Sequence, residues 1–312
     1  MKNKKSIALI CAAVGVCMFT CAAAANYRVS NGYDTLKKSV LSTRDFQNCT
    51  LTAEMSIDFD GSPLSQGSWL YEIDLPNGMI HSRSEEITAK DISEGSSPYI
   101  YEYYDYNDRD YHSSIDEKGN TYYIMSNYYG SQENLWGIDK EDSKTADKVI
   151  KFAEAAADTV VGDLRNNFVC TEDTDEYSAY SITLDSVQIP EVINAGLSML
   201  VSMSNSNNNG IDSDGNVIQP QEGDSDYYLM LMGDDTITDS AELNFRVGKD
   251  GVPQNGNLLV TFTGNGHTMT LYLDLSLTDI GTTSIKTLEE QGAVIKAYSE
   301  VYEETEVPDE VD

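Results

Sequence analysis

Both ends of this chain place apolar side chains at every second position, and no other feature limits the possible fold as much. Near the start, Leu51, Ala53, Met55, Ile57 and Phe59 alternate with Thr52, Glu54, Ser56 and Asp58. Near the end the pattern returns in three runs. Ala241, Leu243, Phe245 and Val247 alternate with Glu242, Asn244 and Arg246, and Leu258, Val260 and Phe262 alternate with Leu259 and Thr261. Met269, Leu271, Leu273, Leu275 and Leu277 then alternate with Thr270, Tyr272, Asp274 and Ser276. Successive Cβ atoms of a strand point to opposite faces, so this period marks strands with one buried and one wet face. Lys249-Asp-Gly251 and Gly264-Asn-Gly266 supply turns, and the last three runs read as an antiparallel meander.

Other segments attach to this frame. Asn31 to Asp34 reads as a helix start, followed by Tyr33, Leu36, Val40 and Leu41 at helical spacing. Trp69–Leu75, the turn Pro76-Asn77-Gly78 and the run from Met79 read as a hairpin. Ten of the 20 tyrosines fall within 99–129, where aromatics interrupted by Gly119-Asn120 and Gly130 favour two or three strands over a helix. Apolar stripes predict helices over 143–164 and, after a strand at 180–187, over 190–201. The stretch 204–226 is a polar, mobile loop, 288–302 a further helix, and 303–312 an acidic disordered tail. Strands at both ends with helices between them make 26–302 one α+β unit.

Charge and the N-terminus set the compartment. Lys+Arg total 20 against 52 Asp+Glu, a net charge of -32 that repels nucleic-acid phosphates and anionic membranes. Lys2, Lys4 and Lys5 precede an uncharged run from Ile7 to Ala25, spanning roughly 28 Å as a helix, close to a bilayer core. With the cations held inside, the rest is exported. Residues 1–25 are either a signal peptide cleaved near Ala23 and Ala25 or a retained anchor helix. Lipidation at Cys21 fits poorly, because Met18-Phe19-Thr20 precedes it. Beyond residue 25 only Cys49 and Cys170 remain, either as one disulfide closing a long loop or as two buried free thiols.

Chemistry-bearing motifs are scarce. His81, His112 and His267 lie far apart in sequence, and the chain lacks the H-E-x-x-H, G-x-S-x-G, S-x-x-K and P-loop patterns. A non-catalytic protein without a cofactor is expected. Asp212, Asp214 and Asn216 resemble the start of a calcium loop, but Val217 and Gly223 stand where its glycine and glutamate belong. Asp105-Tyr-Asn-Asp-Arg-Asp110 is a second acidic cluster, with Arg109 inside it. Both read first as solvated loops. The tyrosines of 99–129 admit an aromatic platform for peptide or glycan, against a plainer reading as the wet face of an edge region. Asn48-Cys-Thr50 matches a glycosylation sequon, which matters only in a eukaryote.

The order of GYDTLKKSVLSTRDF, NCTLTAEMSIDFDG, YSITLDSVQIPEVINAGLSML and LSLTDIGTTSI after an exported N-terminus resembles extracytoplasmic Gram-positive proteins of the lipoprotein-carrier-like (LolA/LppX-like) group. The resemblance covers most of residues 31–285. It implies a single curved antiparallel sheet, a half-barrel, with helices packed on its concave face. It also implies an apolar pocket between sheet and helices for a lipid or other hydrophobic ligand at the cell envelope. Met55, Ile57, Phe245, Val260, Phe262, Leu271 and Leu273 would line that pocket, or else serve only as core beneath the helices.

Overall fold

The computed structural model describes residues 32–126, 151, 167–189, 194, 210–211, 217–218, 222, 225–233 and 235–302. In chain order these form α1 (Gly32–Ser42), β1 (Asn48–Phe59), β2 (Ser62–Asp74), β3 (Met79–Thr88), α2 (Ala89–Glu94), β4 (Tyr99–Tyr106), β5 (Arg109–Ile115) and β6 (Thr121–Met125). There follow β7 (Val169–Asp173), β8 (Tyr177–Asp185), β9 (Gly210–Ile211), β10 (Val217–Ile218), α3 (Ser225–Met232), β11 (Ile237–Gly248), β12 (Pro253–Gly264), β13 (His267–Thr278), β14 (Ile295–Ala297) and α4 (Tyr298–Val301).

Twelve strands make one open sheet in the order β14-β6-β5-β4-β3-β2-β1-β13-β12-β11-β8-β7. Its neighbours are antiparallel except at one edge, where β14 runs parallel to β6. The two alternating ends of the chain meet directly: Met55 pairs with Leu273 and Ile57 with Leu271, so their side chains share a face. Three hairpins turn on two residues with both φ values positive, at Asp60-Gly61, Asn107-Asp108 and Asn265-Gly266. Such turns match the twist of the strands they join and fix register, and with it the face each side chain takes.

Both faces of the sheet are covered, but by different parts of the chain. On the first face α1 sets Tyr33 and Leu36 against Ile182, Leu184, Leu243, Phe245 and Leu258, with Phe168 beside them. Farther along, α3 packs Met232 and Tyr228 against Phe59 and Met269. On the second face the segment after β13 crosses β4, β5 and β6, burying Ile285 and Leu288 among Tyr104, Tyr106, Tyr111 and Tyr123.

Two expectations are corrected. Residues 288–302 are not one helix. A single turn over Thr287–Gln291 stops at Gly292, whose φ of 69° is left-handed, and the chain then extends to pair Ile295–Ala297 with β6. The open edge of β6 offers backbone partners that a longer helix would forgo. The stretch 204–226 is also not loop throughout, since β9 pairs with β10 within it and α3 begins at Ser225. Of the helices expected over 143–164 and 190–201 only Lys151 and Asn194 are described, both helical, so the expectation lies outside the described residues. Residues 1–31 and 303–312 lie outside them as well. Among the described residues no helix is long and apolar enough to cross a membrane.

Candidate functional site

The seven apolar residues expected to line a pocket all lie on the first face, spread over β1, β11, β12 and β13, and they divide by burial. Phe245, Val260 and Leu273 are enclosed in the core beneath α1 and Phe168. Met55, Ile57, Phe262 and Leu271 stay partly open to solvent. The register brings this second group together: Ile57 pairs with Leu271, and Met55 lies two residues along β1 beside Leu273. Leu271 in turn pairs with Val260 on β12, two residues from Phe262. The half-open patch thus sits between the region covered by α1 and the region covered by α3.

The same face changes character toward β6. From β2 to β5 it carries Trp69, Tyr71 and Ile73, then Ser84, Ser82 and Ile80, then Tyr101, Tyr103 and Asp105, then His112 and Asp110, so that Ile80 is the β3 partner of Asp105 and Ser82 that of Tyr103. Asp105 and Asp110 are direct cross-strand partners, only 2% and 7% exposed. The solvated acidic loop expected at 105–110 is therefore a tight hairpin. Only Asn107 and Asp108 form its turn, while the flanking aspartates point into the sheet face. Arg109, the only cation on β4 and β5, is in register with Tyr106 on the second face and donates to Met125 Sδ at 2.9 Å.

The carboxylates are poorly satisfied. Asp105 Oδ2 and Asp110 Oδ1 are buried without a hydrogen-bond partner. Asp110 Oδ2 meets His112 Nε2 at 3.2 Å, and the Tyr101 hydroxyl meets His112 Nδ1 at 2.5 Å. Burial pushes the Tyr101 phenol up to about 12, so it keeps its proton and donates. His112 then accepts at Nδ1 and donates from Nε2 to Asp110. Burial, reinforced by Asp110 and Asp108, raises the Asp105 carboxyl to about 6. Burial, then Asp105 and Asp110, push the Tyr103 phenol far up as well.

The tyrosines of 99–125 do not form a single surface platform. Alternation sends Tyr104, Tyr106, Tyr111 and Tyr123 to the second face, where they are core. There the Tyr106 hydroxyl donates to Glu289 Oε2 at 2.9 Å and accepts from the Leu288 amide at 3.3 Å. Tyr99 is the strongly exposed one among the described tyrosines of this run.

The remaining candidates fall apart. Cys49 and Cys170 are both free, the first buried and the second exposed. A disulfide between them is excluded, because β1 and β7 stand five strand spacings apart, roughly 24 Å, where a bridge needs Cα atoms within about 7 Å. Cys49 alone fits the buried-thiol alternative, and its thiol is raised to about 11 by burial. The calcium candidates Asp212, Asp214 and Asn216 lie outside the described residues. Asn48 of the sequon is engaged, its amide donating to Asp74 Oδ1 and the Thr283 carbonyl at 2.9 Å each.

No family model and no curated protein sequence matches the chain. Among solved structures it is similar to LprF from Mycobacterium bovis, with 9% identity and a TM-score of 0.33 over 81% of this chain and 95% of that one. It is also similar to a β-barrel-like protein of a domain of unknown function from Brucella abortus, with 12% identity, a TM-score of 0.19, and 75% and 99% coverage. A LolA superfamily protein from Nitrosomonas europaea shares 7% identity and a TM-score of 0.18 over 83% and 96% of the two chains.

Proposed function

We propose that this chain is an exported, membrane-associated, non-catalytic binding protein that holds a lipid or other apolar ligand against the first face of its sheet. In this reading residues 26–302 form one extracytoplasmic unit, delivered by residues 1–25 as signal or anchor. The sheet is bent as in the lipoprotein-carrier-like group, with helices closing over its concave side. The observation that supports it is the patch of Met55, Ile57, Phe262 and Leu271. It is contiguous across three strands and continuous with the core, yet still open to solvent. Each ligand CH2 buried there contributes about 0.8 kcal/mol, so a long acyl chain gains enough to bind without any polar contact.

Native mass spectrometry and organic extraction of the full chain purified from bacteria test this reading. An acyl-bearing compound at one per chain is expected, and Leu271→Glu, at the open centre of the patch, should lose it with an unchanged far-UV circular dichroism spectrum. A ligand-free chain that also fails to take up a fluorescent fatty acid refutes the reading.

A further inference from the structure

We infer that the Asp105–Asp110 pair receives an ammonium group, so that the ligand held on the first face is an amphiphile with a primary amine at its head. The inference rests on the binding reading above and names the class of ligand. Two carboxylates on neighbouring strands, both more than nine-tenths buried, each keep an oxygen with no hydrogen-bond partner. A buried charge without a partner is costly, and proteins retain such groups where something else supplies the counter-charge. The described residues do not supply it: Arg109 lies on the second face, and His112 is committed between Tyr101 and Asp110.

A metal ion is the poorer occupant. Among the described residues no three His, Cys, Asp or Glu side chains converge to hold one. An alkylammonium needs less, since its three N–H donors match the free acceptor oxygens of two carboxylates. Aromatic rings beside them favour a cation further, and Tyr101 and Tyr103 stand on the same face of β4. An apolar row leads to the pair, as an amphiphile requires. Met55, Ala53, Leu51 and Cys49 follow one another on the same face of β1, and from Cys49 the register runs through Ile73 on β2 and Ile80 on β3 to Asp105 and Asp110.

The test compares oleylamine, oleyl alcohol and oleate, delivered from cyclodextrin to the full chain and followed by Trp fluorescence and native mass spectrometry. Oleylamine should bind about ten- to a hundredfold more tightly than oleyl alcohol, the gain expected when a hydrogen bond becomes charge-assisted in a buried site, and oleate should bind weakest. In Asp105→Asn and Asp110→Asn the amine should lose its advantage over the alcohol, and an advantage kept in both variants overturns the assignment. Equal affinities for the three heads in the parent chain overturn the headgroup assignment and leave the apolar-ligand reading intact. Failure of all three to bind overturns both.

Discussion

Replacing Asp105 by Asn should make the protein more stable at pH 8, the reverse of the usual result for a buried, nearly isosteric change. Asp105 is 2% exposed, and its carboxyl is raised from 3.8 to about 6, first by burial and then by Asp110 and Asp108. The folded state therefore binds this proton more tightly than the unfolded chain does. Between pH 4 and 6 unfolding releases it, so stability falls as pH rises through that window. At 1.36 kcal/mol for each tenfold in proton affinity, ionising Asp105 inside the fold costs about 3 kcal/mol at pH 8. The Asn variant carries no such charge, and its amide can donate to the free Asp110 Oδ1. Urea unfolding followed by circular dichroism at pH 4, 6 and 8 measures the effect as a difference between variant and parent. That subtraction removes the general repulsion of a chain at -32. The variant should gain about 2–3 kcal/mol at pH 8, or about 1 M in the urea midpoint, and only about 0.5 kcal/mol at pH 4. A difference independent of pH, or a variant less stable at pH 8, refutes the claim that Asp105 is buried as an unpaired carboxylate.

Other consequences are simpler to test. Tyr106→Phe removes the donor to Glu289 and strands the buried Leu288 amide, which should cost about 1–3 kcal/mol in urea unfolding and loosen hydrogen exchange over 285–297. Gly264→Ala would set its Cβ 2.4 Å from the Met232 carbonyl oxygen, and backbone cannot swing aside as a side chain can, so about 1–3 kcal/mol of destabilisation is expected from thermal melts. Thiol labelling read at peptide level should modify Cys170 in the folded protein within minutes and Cys49 only on unfolding. Modification of both at equal rates would show that β1 is not where it is described.

The amino-acid order made the sheet legible where one rule governed a whole strand. The β1, β11, β12 and β13 runs needed only their period of two, which set both ends of the chain on one sheet face; that Ile57 pairs directly with Leu271 is what the structure adds. Pairing is long-range, however, and no local pattern states which strand lies beside which. The parallel contact of Ile295 with Tyr123 could not be read from a segment that, taken alone, suits a helix. The site was less legible. Asp105-Tyr-Asn-Asp-Arg-Asp110 looks like solvent-seeking sequence because composition counts charges and ignores phase. A signal was nonetheless present: Asp105 is in step with Tyr101 and Tyr103, and Asp110 with His112, about a two-residue turn that needs only Asn107 and Asp108. Phase, once the turn is placed, sends both carboxylates to one face.

That phase also explains why strands so rich in tyrosine can carry an acidic site. In YIYEYYDY the alternation is doubled at Tyr103-Tyr104, so one face receives Tyr99, Tyr101, Tyr103 and Asp105 while the other receives Tyr104 and Tyr106. The second face is then closed by Ile285 and Leu288, whose burial stabilises this end of the sheet without help from the first. Strands anchored from behind can tolerate unsatisfied carboxylates in front, because the packing that holds their register does not depend on those groups. The C-terminal segment is thus what permits the acidic face. Its removal at Asp279 should disorder β4 to β6 before it disturbs β11 to β13, an order that hydrogen exchange of the truncated chain would report, and simultaneous loss of both regions would contradict.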